Sequence, residues 1–181
     1  IIKKKGLFLF PSGPGLSSIE KEIPYLKALK NADYNFFDSG YFVLLLKYFK
    51  KINVNKFSGY LFIKLFLEYI KKNNNKKLFL VDPNIRLSVS NTKLFNKIGV
   101  LKKNINNYIA PQYNSKSISD KRLLNIVKKI KPDCILLNIG GGTQEILGLY
   151  IKNNINFKCT IMCTGAAISF FTGDQAPINT F

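Results

Sequence analysis

Three glycines and one carboxylate carry most of the chemical potential of this chain. Gly140, Gly141 and Gly142 follow the apolar run Cys134 to Ile139 and precede a helix opening at Thr143. A strand that turns through glycines into a helix leaves backbone N–H groups unpaired at the helix start, where the helix dipole favours an anion. Glycine also lets an anion approach the backbone, since no Cβ stands in the way. The turn is a candidate diphosphate cradle, with Gln144 and Glu145 expected to face whatever the glycines admit. It has a plainer reading as an ordinary strand-to-helix turn, in which Glu145 is well placed against the helix N-terminus. GGGTQE matches neither the dinucleotide fingerprint nor a P-loop, so spacing alone does not separate the two. Asp38 is the carboxylate nearest a chemical role: Phe36 and Phe37 precede it and an apolar helix follows. On local grounds a helix N-cap explains it equally well.

The composition narrows the chemistry. Histidine is absent, which removes the usual general base and the commonest metal ligand. Cys134, Cys159 and Cys163 lie in apolar strand-like segments without CxxC spacing, and read as buried reduced thiols. Ser-His-Asp and Cys-His catalysis are therefore excluded. Net charge is +18, almost all of it lysine, with arginine only at Arg86 and Arg122. That balance suits nucleic acid or an anionic membrane surface. Abundant Lys, Asn and Ile are also what an AT-rich genome would encode, and no signature of a nucleic-acid-binding module is present, so nucleic acid is not an expected partner.

With 181 residues, 46% of them hydrophobic, the chain fits a single domain, 1–181, with a sizeable core. No apolar run approaches the roughly 20 residues that span a bilayer and no signal peptide opens the sequence, so a cytoplasmic location is expected. The chain starts without Met and stops at Phe181 soon after a proline. Both ends read as cuts in a longer protein.

The elements that must position these residues alternate between strand and helix. Strands are expected at Leu7 to Phe10, Tyr34 to Phe37, Leu78 to Val81, Tyr108 to Ala110, Cys134 to Ile139 and Lys158 to Cys163. Between them fall a helix bearing Ile23, Leu26 and Leu29 with a capping box from Ser17-Ser18, then helices at Ser39 to Lys51, Tyr60 to Lys72, Thr92 to Ile98, Leu123 to Ile130 and from Thr143. Such alternation implies right-handed βαβ units and an α/β fold, a mostly parallel, Rossmann-like sheet with helices on both faces. Ligands of such sheets bind outside the strand carboxyl ends. Ser12, Asp38, Asp82, Asn84, Gln112, the glycine turn and Thr164-Gly165 all follow strands and are expected along that edge.

With Asp38, Ser58-Gly59, GGGTQE and GAAISFFTGDQAP in view, the chain resembles the WecG/TagA/CpsF family of bacterial glycosyltransferases over nearly its whole length. The family pattern is Asp-Gly after an apolar strand, Arg-x-x-Gly, Gly-x-Pro-Lys-Gln-Glu, and a Gly-rich segment ending Arg-Ala-Pro. Here these read Asp38-Ser39-Gly40, Lys56-Phe57-Ser58-Gly59, Gly140 to Glu145, and Gly165 to Pro177. Lys56 replaces Arg, keeping the charge without the bidentate fork. Gly142 and Thr143 replace Pro-Lys, and Ser169 and Gln175 replace an Asp and an Arg. The family's basic C-terminal tail, which serves membrane attachment and completes the site, is missing, so poor turnover with retained donor binding is expected.

The resemblance implies inverting transfer of a sugar from a UDP-sugar donor, N-acetylmannosamine-type or related, to a polyprenyl-diphosphate-linked acceptor. The reaction would run at the cytoplasmic membrane surface, in synthesis of teichoic acid, exopolysaccharide or a similar envelope polymer. It carries over Asp38 as general base, Lys56 and Gln144 as donor-phosphate or transition-state contacts, and Ser12 as the polar residue after the first strand. Ser58, Gly59, Gly140, Gly141, Gly142, Thr143, Glu145 and Gly165 complete the implied substrate-binding set. No cofactor or metal is expected: no Asp-x-Asp motif occurs, and backbone dipoles with cations would stabilise the leaving diphosphate. The alternative is a non-catalytic basic α/β domain that binds nucleotides or nucleic acid, for which the net charge is the main support.

Overall fold

The computed structural model describes residues 5–11, 19, 22–38, 40–114 and 117–175. Ser12, the capping box at Ser17-Ser18 and Ser39 lie outside them. Six strands form one sheet: β1 (Gly6–Leu9), β2 (Tyr34–Asn35), β3 (Leu78–Asp82), β4 (Ile105–Ile109), β5 (Cys134–Leu137) and β6 (Thr160–Cys163). Their order is β2-β1-β6-β5-β3-β4 and every pairing is parallel. The helices are α1 (Ile23–Lys30), α2 (Gly40–Lys50), α3 (Gly59–Lys72), α4 (Ile85–Lys97), α5 (Lys121–Ile130) and α6 (Thr143–Asn154), then a 3-10 turn (Gly165–Ile168) running into α7 (Ser169–Thr172). The architecture is α/β and Rossmann-like.

Both faces of the sheet are covered, which is why its central strands read as unbroken apolar runs such as Cys134 to Leu137. Alternate residues feed two cores. Leu7, Leu9, Phe79, Val81, Ile135 and Leu137 pack with Ala28 of α1, Leu123 and Val127 of α5 and Leu147 and Ile151 of α6. Phe8, Leu78, Leu80, Leu136 and Met162 pack against Phe62, Ile63, Phe66 and Ile70 of α3, Phe95 of α4 and Ile168.

Several expected elements differ in extent: β4 runs Ile105–Ile109 where Tyr108 to Ala110 was expected, β5 ends at Leu137 rather than Ile139, and β6 begins at Thr160 rather than Lys158. The helix expected at Thr92 to Ile98 begins at Ile85, because Asn84 accepts the Leu87 N–H at 2.9 Å and caps it there. Strand β2 stops at Asn35 rather than Phe37, although the Phe36 N–H still donates to the Leu9 carbonyl of β1 at 2.9 Å. The segment after β6 also continues as the 3-10 turn and α7, which the strand reading did not anticipate.

Chain direction opens two crevices along the carboxyl edge. β5 leads into α6 on the first face and its neighbour β3 into α4 on the second; β1 leads towards α1 on the first face and its neighbour β6 into the 3-10 turn on the second. Successive connections that part to opposite faces leave a gap between strand ends, the usual place for ligands in this architecture.

Candidate active site

One crevice is built around Asp38, beside the segment that follows β6. Phe36, just before it, stacks on Phe10 with ring centroids 5.0 Å apart and lies 5.2 Å from Phe57. The Phe57 N–H donates to the Phe37 carbonyl at 3.0 Å. These contacts hold the Lys56 to Gly59 segment beside Asp38. Ser58 then caps α3 by accepting the Leu61 N–H at 3.2 Å, and the Gly59 N–H bonds the Asp38 carboxylate. Asp38 thus faces the positive end of a 14-residue helix, a different helix from the one it precedes.

A cavity of about 470 Å³ opens here, lined by Asp38, Lys56, Ser58 and Thr164 on its polar side and by Tyr60, Ala167 and Phe170 on its apolar side. Gly59 lies close against this wall: a Cβ there would stand 3.6 Å from Asp38 Oδ2 and 3.5 Å from the Ala167 Cβ, at ordinary contact distance. Burial raises the Asp38 carboxyl above its ordinary range, while the Gly59 N–H and the Lys56 ammonium pull it partly back. A half-buried carboxylate with a raised pKa, at the mouth of a cavity, can take a proton from a hydroxyl. Tyr60 and Phe170 were missed by the sequence reading. Tyr60 meets Phe170 edge-on at 5.8 Å and stacks on Phe171 at 4.9 Å; its place directly after Ser58-Gly59 was the available signal.

The other crevice holds the glycine turn. Gly140 and Gly141 have no positive φ, and no described atom lies within 4 Å of where their Cβ would stand. Neither conformation nor packing among the described residues asks for glycine there. Gly142 differs: its φ is +82° and its N–H donates to Glu145 Oε2 at 2.6 Å. Gly140 and Thr143 line a cavity of about 450 Å³ together with Pro83, Pro111, Gln112 and Tyr113. Asp120 fixes its far wall, accepting the hydroxyls of Tyr113 at 2.7 Å and Tyr108 at 2.8 Å while it caps α5 through the Leu123 N–H.

Gln144 and Glu145 do not face this cavity as expected. Both are buried, and their polar atoms bond within the protein. Gln144 Nε2 donates to Glu145 Oε1 at 3.0 Å and to the Cys163 carbonyl at 3.3 Å, and its Oε1 accepts the Gly165 N–H at 2.8 Å. Burial pushes the Glu145 carboxyl up to about 7 against the hydrogen bonds from Gln144 and Gly142. The reason is topological: β6 lies beside β5, so the first turn of α6 meets the end of β6.

Asp82 is likewise inside the fold rather than on the edge. It is fully buried and accepts Asn91 Nδ2 at 2.7 Å and Asn138 Nδ2 at 2.8 Å through one oxygen; the other oxygen has no partner among the described residues. Gln112 lies where expected. The structure therefore brings Asp38, Lys56, Ser58 and Gly59 together with Thr164 and the neighbourhood of Gly165, and sets Gly140 and Thr143 in a separate cavity that shares no lining residue with the first. Ser12 lies outside the described residues.

The three cysteines are buried and free, and burial raises all three thiols, Cys134 to about 12. Among the described residues, no group of three His, Cys, Asp or Glu side chains is arranged to hold a metal ion. A further cavity, of about 490 Å³, lies at the opposite edge of the sheet beside the Asp33–Lys152 ion pair, away from the strand carboxyl ends.

A search of curated proteins finds no match to this chain. The model of the glycosyl transferase WecG/TagA/CpsF family matches residues 2–178, a span that takes in both crevices. With that match covering nearly all of its 181 residues, the chain belongs to the WecG/TagA/CpsF family of glycosyltransferases.

Proposed function

We propose that the chain is one glycosyltransferase domain moving a sugar, with inversion and without a metal, from a UDP-linked donor to a polyprenyl-diphosphate-linked sugar. The donor sugar is of the N-acetylmannosamine type or related, and the reaction belongs to cell-envelope polysaccharide synthesis at the inner face of the plasma membrane. Asp38 is the general base. It takes the proton of the acceptor hydroxyl as that oxygen attacks the anomeric carbon, and the bond from the anomeric carbon to the donor phosphate breaks on the opposite side. Charge then develops on the leaving diphosphate. Lys56 and the exposed backbone of Gly140 and Gly141 meet that charge, with Ser58 and Gly59 shaping the wall next to Asp38 and Thr143 that of the neighbouring cavity.

The observation that carries the reading is the meeting of Asp38, Lys56 and the start of α3 at one cavity with Thr164 from the far end of the sequence. Gln144, Glu145 and Gly165 act in it by holding the two crevices at a set distance rather than by reaching the donor. The test is enzyme-dependent release of UDP from a panel of UDP-sugars, with a lipid-linked acceptor present. Release with one sugar, absent from Asp38→Ala, supports it. Salt-sensitive retention of single-stranded RNA with no thermal shift from UDP would favour the non-catalytic basic domain instead.

A further inference from the structure

Helix α2 is the least economical part of the fold. Its sequence, GYFVLLLKYFK, is as apolar as a core helix, yet none of its described side chains joins either core. Leu44, Tyr48 and Phe49 are 53%, 74% and 78% exposed, and Ile52 just beyond the helix is 49% exposed. Large apolar side chains displayed together mark a binding surface. Lys47, Lys50 and Lys51 are interleaved with them and exposed. The outer side of α3 repeats the combination with Leu61, Lys64 and Leu65.

We propose that α2 and the turn after it dock the protein on an anionic bilayer, with Leu44, Tyr48, Phe49 and Ile52 entering the headgroup boundary and Lys47, Lys50 and Lys51 pairing with lipid phosphates. Exposed aromatic and aliphatic side chains interleaved with lysines divide the work in this way at a bilayer interface, apolar groups at the headgroup boundary and ammonium groups on the phosphates. A second copy of the chain is the poorer occupant, because it would bring the same lysines, on a molecule of net charge +18, against each other. Position adds to the argument. α2 starts two residues after Asp38, and Lys56 Nζ lies 3.8 Å from where a Gly40 Cβ would stand. Docking through α2 holds the Asp38 cavity against the layer in which a polyprenyl-linked acceptor resides. This last step rests on the transferase reading; the docking surface itself does not.

The test is flotation with vesicles of phosphatidylglycerol and phosphatidylcholine in roughly equal parts, and with pure phosphatidylcholine. The wild-type chain should bind the mixed vesicles, more weakly as salt rises. Tyr48→Ser with Phe49→Ser should lower partition by about tenfold or more. Replacing Lys47, Lys50 and Lys51 with Gln should abolish the preference for anionic vesicles. Because these side chains lie outside both cores, the thermal midpoint of each variant should match wild type, which shows that it folds.

Wild-type failure to bind, or undiminished binding by both variants, overturns the proposal. So does a dimer in sedimentation that the aromatic variant dissolves while vesicle binding persists. With a short-chain soluble acceptor the aromatic variant should turn over as wild type does, and with a vesicle-embedded acceptor about tenfold less. Absence of transfer to either acceptor by the wild-type chain would defeat the catalytic reading and leave the flotation result to decide the docking surface.

Discussion

The Gly165 N–H donates to Gln144 Oε1 at 2.8 Å, and the same carboxamide reaches the Cys163 carbonyl through Nε2. One side chain in the first turn of α6 thereby ties the glycine turn of one crevice to the segment that rims the other. Gln144→Leu would leave the Gly165 N–H and Glu145 Oε1 without this partner, and should destabilise the protein by about 1–3 kcal/mol. Denaturant unfolding without any ligand is the measurement. An unchanged midpoint would return Gln144 to a purely substrate-contacting role.

Asp38→Ala should abolish sugar transfer and leave UDP affinity nearly intact, as read by calorimetry. Asp38→Asn adds a stability test. Burial raises the folded-state pKa of Asp38, so its contribution to stability is full below the unfolded pKa and declines as pH rises through the folded one. The Asn variant, uncharged and still able to accept the Gly59 N–H, should therefore be at least as stable as wild type at neutral pH. A clear loss of stability would make Asp38 a structural cap of α3 first.

Glu145 gives a pH dependence opposite to ordinary acid denaturation. Its carboxyl rises from 4.5 to about 7 on folding, so the folded state binds the proton more tightly. Stability from this group is complete below about pH 4.5 and is lost as pH climbs through about 7, a change on the order of 3 kcal/mol. Unfolding midpoints measured across that window should fall with pH, and Glu145→Gln should flatten the profile. A wild-type profile that rises instead would show that Glu145 is ionised throughout.

Two glycines should behave in opposite ways. At Gly148 an added Cβ would lie 2.8 Å from Leu7 Cδ1 and 2.9 Å from Cys163 Sγ, where α6 packs closest to the sheet. Overpacking of about 1–3 kcal/mol in Gly148→Ala should outweigh a helix-propensity gain of up to about 1 kcal/mol, with UDP affinity unchanged. At Gly141 an added Cβ would have no described atom within 4 Å, and Gly141→Val is the contrasting variant. It should fold with near wild-type stability and weaken UDP binding by about tenfold or more. Equal UDP affinity in both variants would move the diphosphate away from the glycine turn.

Much of this was legible in the chain alone. Short apolar runs alternating with amphipathic stretches have few ways to bury themselves, and parallel strands with right-handed crossovers send the residues after each run to one edge. That logic reached Asp38, Gln112 and the glycine turn. It stopped short at Asn84, where a side-chain cap started α4 about two turns early, and at β2, whose ladder with β1 ends at Asn35.

Sequence by itself determined the fold class, the shared edge and the residue types from which a transferase site is made, since those follow from periodicity, composition and motif order. Only the tertiary structure decided which polar groups line the cavities and which are buried. Gln144 and Glu145 occupy the first turn of a helix and would be exposed on it in isolation; they are buried because β6 is the neighbour of β5 and its end needs hydrogen-bond partners. Asp38 likewise gains its helix N-terminus from α3 and not from α2. Both outcomes depend on strand order and on contacts between segments distant in sequence, and no local pattern encodes them.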